Sequence, residues 1–258
     1  MEGRYGKHPS ALGPSMAYDL AKKYCKKAII FDPPSTDEFQ PVARISGIPE
    51  IERKSAFHAL NQKMAARRAA AELGKTYQTV SLVVAHLGGG ITVGAHQEGF
   101  VIDCTNGLSE GPFTPERAGG LPTNELVVLA FSGKMDQKQL QKRLVGQGGL
   151  DAYLGTADAQ KIEAMIRQGD QRAEDIYHAM AYQIAKDIGA MAVVLRGGIE
   201  GIVLTGGLAF SEMLTGWIRD MVSFIAPVFI YPGEDEMIAM AEGAVRVLNG
   251  EERLREYE

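Results

Sequence analysis

Residues 84–96 read Val-Ala-His-Leu-Gly-Gly-Gly-Ile-Thr-Val-Gly-Ala-His, three consecutive glycines held between two apolar, β-prone runs. Ser81 to Ala85 has the β-branched character of a buried strand, and Ile91 to Ala95 that of a second one. Glycines between two such strands make a tight hairpin turn. Glycine also tolerates positive φ and has no Cβ, so successive backbone N–H groups can converge on an anion while the main chain approaches it closely. His86 adds an imidazole at the lip of the turn. Two readings stand at this point: a phosphate cradle formed by Gly88, Gly89 and Gly90, or a plain hairpin whose glycines serve only the turn.

Helical and strand patterns alternate along the chain, which predicts an α/β architecture. Ser15 to Lys27 reads as a helix, Ala28 to Phe31 as a short strand, and Asp32 stands where that strand would end, a position that commonly faces a ligand crevice. The stretch from Ser35 to Glu50 is rich in Pro, Ser, Thr and acidic residues and reads as a loop or interdomain crossing. Glu52 to Leu73 carries Phe57, Leu60, Met64 and Ala71 at helical spacing. Gly99 to Asp103 continues the hairpin as a third antiparallel strand. Ser109 to Pro122 is too rich in Gly and Pro for regular structure and places Arg117 in a loop. Asp175 to Leu195 is the longest apolar helical pattern. Gly201 to Gly207 reads as a buried strand running into a double glycine, followed by a helix from about Ser211 to Phe224 and a strand from Val228 to Tyr231.

The balance of charge limits the partners. Lys and Arg number 27 against 32 Asp and Glu, a net charge of -5, so no basic field exists to attract nucleic acid. No apolar run reaches the roughly 18 residues a membrane span needs. Two cysteines, Cys25 and Cys104, are too few for a disulfide framework, and a reducing cytoplasm fits them best.

Four segments together carry a family resemblance: His86-Leu87-Gly88-Gly89-Gly90, the run from Gly111 to Pro122, Leu204-Thr205-Gly206-Gly207, and Tyr231-Pro232-Gly233-Glu234-Asp235-Glu236. In this order they resemble the butyrate kinases, a group of the acetate kinase family within the sugar kinase and actin superfamily. The resemblance implies a ribonuclease H-like, actin-like ATPase fold of two domains around a nucleotide cleft, used as a homo-oligomer. It also implies ATP and a short-chain fatty acid as substrates, Mg²⁺ as cofactor, and an acyl phosphate and ADP as products. Butyrate leads the acids because Gly89 stands where the acetate kinases have Asn; the alternatives are acetate, propionate or branched acids, a non-catalytic nucleotide-binding fragment, or a subunit that needs a missing N-terminal segment.

Carried onto this chain, the resemblance places His86 and Gly88 to Gly90 beside the transferred group and Gly206-Gly207 and Asp158 at the nucleotide. Arg117 becomes the main catalytic candidate, because a planar guanidinium aimed at the equatorial oxygens of a moving phosphoryl group favours the transition state. His58 would donate to the phosphoryl oxygens. Asp32 would lie near the acyl substrate and the metal, with Glu234 or Glu236 as a second metal-associated carboxylate and His8 near the acyl pocket. Each has a plainer alternative: a solvated arginine, a helix-face histidine, a carboxylate capping a turn.

The family pattern also begins earlier, with a strand and an Asn-Pro-Gly-Ser-type phosphate loop that this sequence does not show. The expected organisation is therefore a nucleotide-binding domain over 35–232 and an incomplete acyl-binding domain made of 1–34 and 233–258. Its missing strands would leave apolar faces open. Gln160 stands where the pattern expects an arginine bordering the adenine.

Overall fold

The computed structural model describes residues 12–254. His8 lies outside them. Helix α1 (Leu12–Lys23) is followed by irregular chain to residue 58, broken by one 3-10 turn (Pro41–Arg44). Helix α2 (Ala59–Glu72) leads to strands β1 (Ser81–Leu87), β2 (Ile91–Gln97) and β3 (Phe100–Cys104). Four short helices follow, α3 (Thr123–Ala130), α4 (Gln137–Leu144), α5 (Gly149–Leu154) and α6 (Ala159–Arg167), and then the long α7 (Gln171–Val194). The chain closes with β4 (Gly201–Gly206), α8 (Glu212–Val222), β5 (Val228–Pro232) and α9 (Glu236–Leu248).

The strands form one sheet in the order β3-β2-β1-β4-β5. The hairpin strands pair antiparallel, with Leu87 opposite Ile91, whereas β1 pairs β4 and β4 pairs β5 in parallel. Every expected strand from residue 81 onward is present.

Side chains alternate across a strand, so each strand feeds two cores. On one face Val83, Ala85, Leu87, Val93 and Leu204 pack with Tyr177, Met180, Ile184 and Ile188 of α7 and Leu214 and Ile218 of α8. The opposite face holds Leu82, Val84 and Val203 against Ala65, Ala66, Ala69 and Ala70 of α2. Four alanines, each 0–1% exposed, let this helix lie close to the sheet. The parity that sends Leu82 and Val84 toward α2 sends His86 there too, and on β2 it selects Thr92, Gly94 and His96. Polar side chains therefore gather on the α2 side of the sheet.

Two expectations change. The segment Ala28–Phe31 is irregular rather than a strand: among the described residues no strand lies beside it to complete a ladder, and Ile29 and Ile30 are exposed. Its Phe31 rests on α9, where a Cβ on Gly243 would come within 2.7 Å of the ring. The helix expected from Glu52 starts only at Ala59; the irregular chain before it is tied to the end of β3 and the following loop through Arg53, which pairs with Asp103 and Glu110.

Candidate active site

The parallel strands β1, β4 and β5 end side by side, and each ends in a glycine turn. Gly206 has φ +92°, and a Cβ there would strike the Leu87 carbonyl at 2.5 Å. The double glycine thus lies directly against the end of β1. Gly206 and Gly233 exchange two backbone hydrogen bonds, 3.1 and 3.0 Å, which draws Glu234 to the same edge. Crevices at the carboxyl ends of parallel strands are the usual ligand sites of such sheets.

Gly88, Gly89 and Gly90 are absent from the positive-φ glycines, so the left-handed freedom expected of them is unused. Close approach is what requires them. A Cβ on Gly88 would stand 3.0 Å from His86 Nε2, and one on Gly90 would stand 2.4 Å from Arg117 Nη1. Gly89 faces open space. The turn therefore leaves room for protein groups on its flanks and for a ligand at its exposed tip.

Arg117 is held in this position from two sides. Its Nη1 donates to the Gly107 carbonyl at 2.6 Å, while its backbone N–H donates to Thr114 Oγ1 at 3.1 Å. The Thr114 hydroxyl in turn donates to the Gly89 carbonyl at 2.7 Å. One buried threonine thus ties the arginine loop to the glycine turn. Burial holds the Arg117 pKa below the usual guanidinium range, and a guanidinium stays charged in proteins all the same.

His58, the N-cap residue of α2, and His86 stack with ring centroids 3.8 Å apart and planes 13° from parallel. Burial, and then the neighbouring Arg117 charge, push the His58 pKa down to about 4. Burial, and then His58, carry His86 well below the ordinary imidazole value. Two neutral rings therefore face each other at neutral pH. His86 Nδ1 is bonded to Asn61 Oδ1 at 2.7 Å, and its Nε2 lies 3.7 Å from Glu234 Oε1.

The structure thus brings together His58, His86, Gly88, Gly90, Arg117, Gly206 and Glu234, with Gly89 and Gly207 exposed at the tips of their turns. Asp32 is held elsewhere: its carboxylate pairs with Lys63 Nζ at 3.2 Å and Arg67 Nη1 at 3.8 Å. Asp158 caps α6, accepting from the N–H groups of Gln160 and Lys161. Glu236 opens the first turn of α9. Among the described residues no three His, Cys, Asp or Glu side chains are grouped to hold a metal. Asp32 with its two cations does not suit Mg²⁺, whereas Glu234, exposed at the edge, suits an ion that keeps its waters and arrives on phosphates. Sequence reasoning overlooked Asn61, Gln62, Thr92, His96 and Thr114; the parity of Thr92, Gly94 and His96 along an otherwise apolar β2 was the available signal.

This architecture is the actin-like ATPase fold. It matches the crystal structure of Porphyromonas gingivalis acetate kinase with a TM-score of 0.79 at 19% identity, over 89% of this chain and 67% of that one. A propionate kinase from Francisella tularensis matches at 0.69 and 18% identity over 78% and 59%, and acetate kinase from Entamoeba histolytica at 0.70 and 17% over 80% and 63%. The chain therefore spans between 59% and 67% of the length of these proteins. The Acetokinase family profile matches residues 48–215, and the chain belongs to that family.

Proposed function

We propose that this chain carries the nucleotide-binding and phosphoryl-transfer part of a carboxylate kinase whose acid is butyrate, interconverting ATP and butyrate with ADP and butyryl phosphate. A carboxylate oxygen forms the new bond to the γ-phosphorus as the bond to the β,γ-bridging oxygen breaks, and ADP leaves. The observation that carries this reading is the Arg117 guanidinium lodged against Gly90 beside two neutral imidazoles, at the carboxyl ends of parallel strands. Positive charge fixed there meets the charge that develops on the equatorial oxygens. A neutral His58 ring can supply a hydrogen bond to the anion without adding charge. Mg²⁺, arriving with the nucleotide, would neutralise phosphate charge and reach the protein through Glu234.

In this reading residues 35–232 form the nucleotide-binding domain, with Gly206-Gly207 and Asp158 on the nucleotide side, and 1–34 with 233–258 belong to the acyl-binding side together with Asp32. Incubation with butyrate and Mg-ATP, trapping acyl phosphate with hydroxylamine, tests the assignment. Turnover is expected, and Arg117→Ala should lower it about 100- to 1000-fold, the usual cost of losing one transition-state donor. Turnover unchanged by that substitution rejects the role given to Arg117. Acetate, propionate and isobutyrate in the same assay rank the acids.

A second reading is favoured by one observation: Leu12, Met16, Ile29, Ile30, Met237, Ile238 and Leu248 are all exposed. An apolar surface of this kind suits a subunit whose acyl-binding side is completed by further polypeptide, and activity that appears only on adding that partner would favour it.

A further inference from the structure

The two stacked imidazoles are each held by a different buried hydrogen-bond chain. Counting hydrogens along those chains fixes where each ring carries its proton. Asn61 Nδ2 faces two carbonyls, Glu234 at 3.0 Å and Gly233 at 3.4 Å, and only the amide nitrogen can donate to them. Its oxygen therefore faces His86 Nδ1 and accepts. A neutral His86 thus has its proton on Nδ1 and a lone pair on Nε2.

His58 is governed from the other direction. Gln62 Nε2 donates to the Thr92 carbonyl at 3.0 Å, which fixes the amide, and to Thr92 Oγ1 at 2.8 Å. Gln62 Oε1 accepts from His96 Nε2 at 3.0 Å. His96 is fully buried, with Lys63 and Arg67 nearby, and is pushed down to about 3, so its Nδ1 is an acceptor for the Tyr77 hydroxyl at 2.9 Å. Thr92 Oγ1 receives Gln62 and, at 3.4 Å, the His58 backbone N–H, which occupies both lone pairs. Its own hydrogen goes to His58 Nδ1 at 2.9 Å. The remaining nitrogen, His58 Nε2, has no hydrogen-bond partner among the described residues. Gly94 keeps the path clear, since a Cβ there would stand 2.6 Å from Gln62 Oε1 and 3.2 Å from His96 Nε2.

We propose that Gln62 and Thr92 are positioning residues: the one-directional chain Tyr77–His96–Gln62–Thr92 keeps the His58 proton on Nε2 while Asn61 keeps the His86 proton on Nδ1, so that of the stacked pair His58 alone can donate to a phosphoryl oxygen and His86 Nε2 is kept as an acceptor. The phosphoryl group as ligand rests on the kinase reading; the tautomers do not. A group that binds His86 Nε2 must bring its own hydrogen, and one that binds His58 must be an acceptor.

Nitrogen NMR of the full chain with ¹⁵N-labelled histidine at pH 7.5 reads the tautomers directly. His58 is expected with a protonated Nε2 and a bare Nδ1, and His86 with the reverse. Thr92→Val, close to isosteric, removes the hydroxyl; His58 should then move toward the Nδ1-protonated form and kcat should fall about tenfold with the KM for ATP within twofold. Thr92→Ser should restore both. Matching tautomers on the two rings of the native chain, or a His58 spectrum unchanged in Thr92→Val, overturns the proposal. Opposite tautomers in a protein without turnover support the relay and reject turnover by the chain alone instead.

Discussion

Three of the five histidines sit where a proton is unwelcome, and each for a stated physical reason. His58 is pushed to about 4 and His96 to about 3, and His86 is also lowered, burial leading in every case. A base whose pKa is lower in the folded chain leaves the unfolded chain holding more protons, so stability rises with pH between the folded and unfolded values. This contribution is fully present above about 6.5, the ordinary imidazole value, and is lost as pH falls toward 4. Urea midpoints should therefore drop between pH 7.5 and pH 5. A midpoint that stays flat across that window contradicts the burial of these rings. Gly90 makes the complementary point about space rather than charge: Gly90→Ala places a methyl 2.4 Å from Arg117 Nη1, so the guanidinium must leave its seat. Turnover should fall with little change in melting temperature, and an unchanged kcat would show that the seat is not needed.

At the level of elements, sequence and structure agree where periodicity is strong. The strands of the sheet and the long helix α7 follow from β-branched runs and an apolar stripe. They diverge where a segment depends on a neighbour that composition does not reveal: Ala28–Phe31 has strand residues but no ladder to join. Of the candidate site, the glycine turns and His86 stood out because glycine and polar groups are conspicuous in an apolar setting, whereas His58 and the role of Arg117 came only from the family resemblance. The groups that orient them were not, because Gln62 and Thr92 look like ordinary surface residues until α2 is laid on β2. Asp158 is a case in which one residue has two readings that experiment separates. As a helix cap it accepts two backbone N–H groups, and Asp158→Ala should cost about 1 kcal/mol in denaturant melts. Asn caps equally well, so Asp158→Asn should keep that stability; a loss of ADP affinity in this variant, measured by calorimetry, then reports a direct contact with the nucleotide.

For the whole molecule the dominant fact is asymmetry. The sheet with α2, α7 and α8 makes a complete three-layer core, while α1, the 28–31 segment and α9 leave Met16, Ile30, Met237 and Leu248 between 50% and 84% exposed. Large apolar side chains left in water promote association. The isolated chain should therefore sediment as dimers or larger species in a concentration-dependent way, and Ile30→Glu combined with Met237→Glu should return it to the monomer. A native chain that stays monomeric at high concentration would show that this face needs no cover. The parallel pairing of β1 with β4 has a consequence of another kind, in the timing of synthesis. The strand bearing His86 leaves the ribosome with its hairpin partner close behind, but its other neighbour follows about 120 residues later, roughly ten seconds at ordinary rates of translation. For that interval the growing chain holds one unpaired edge beside its glycine turn, and the crevice gains its second wall only when Gly206 has been made.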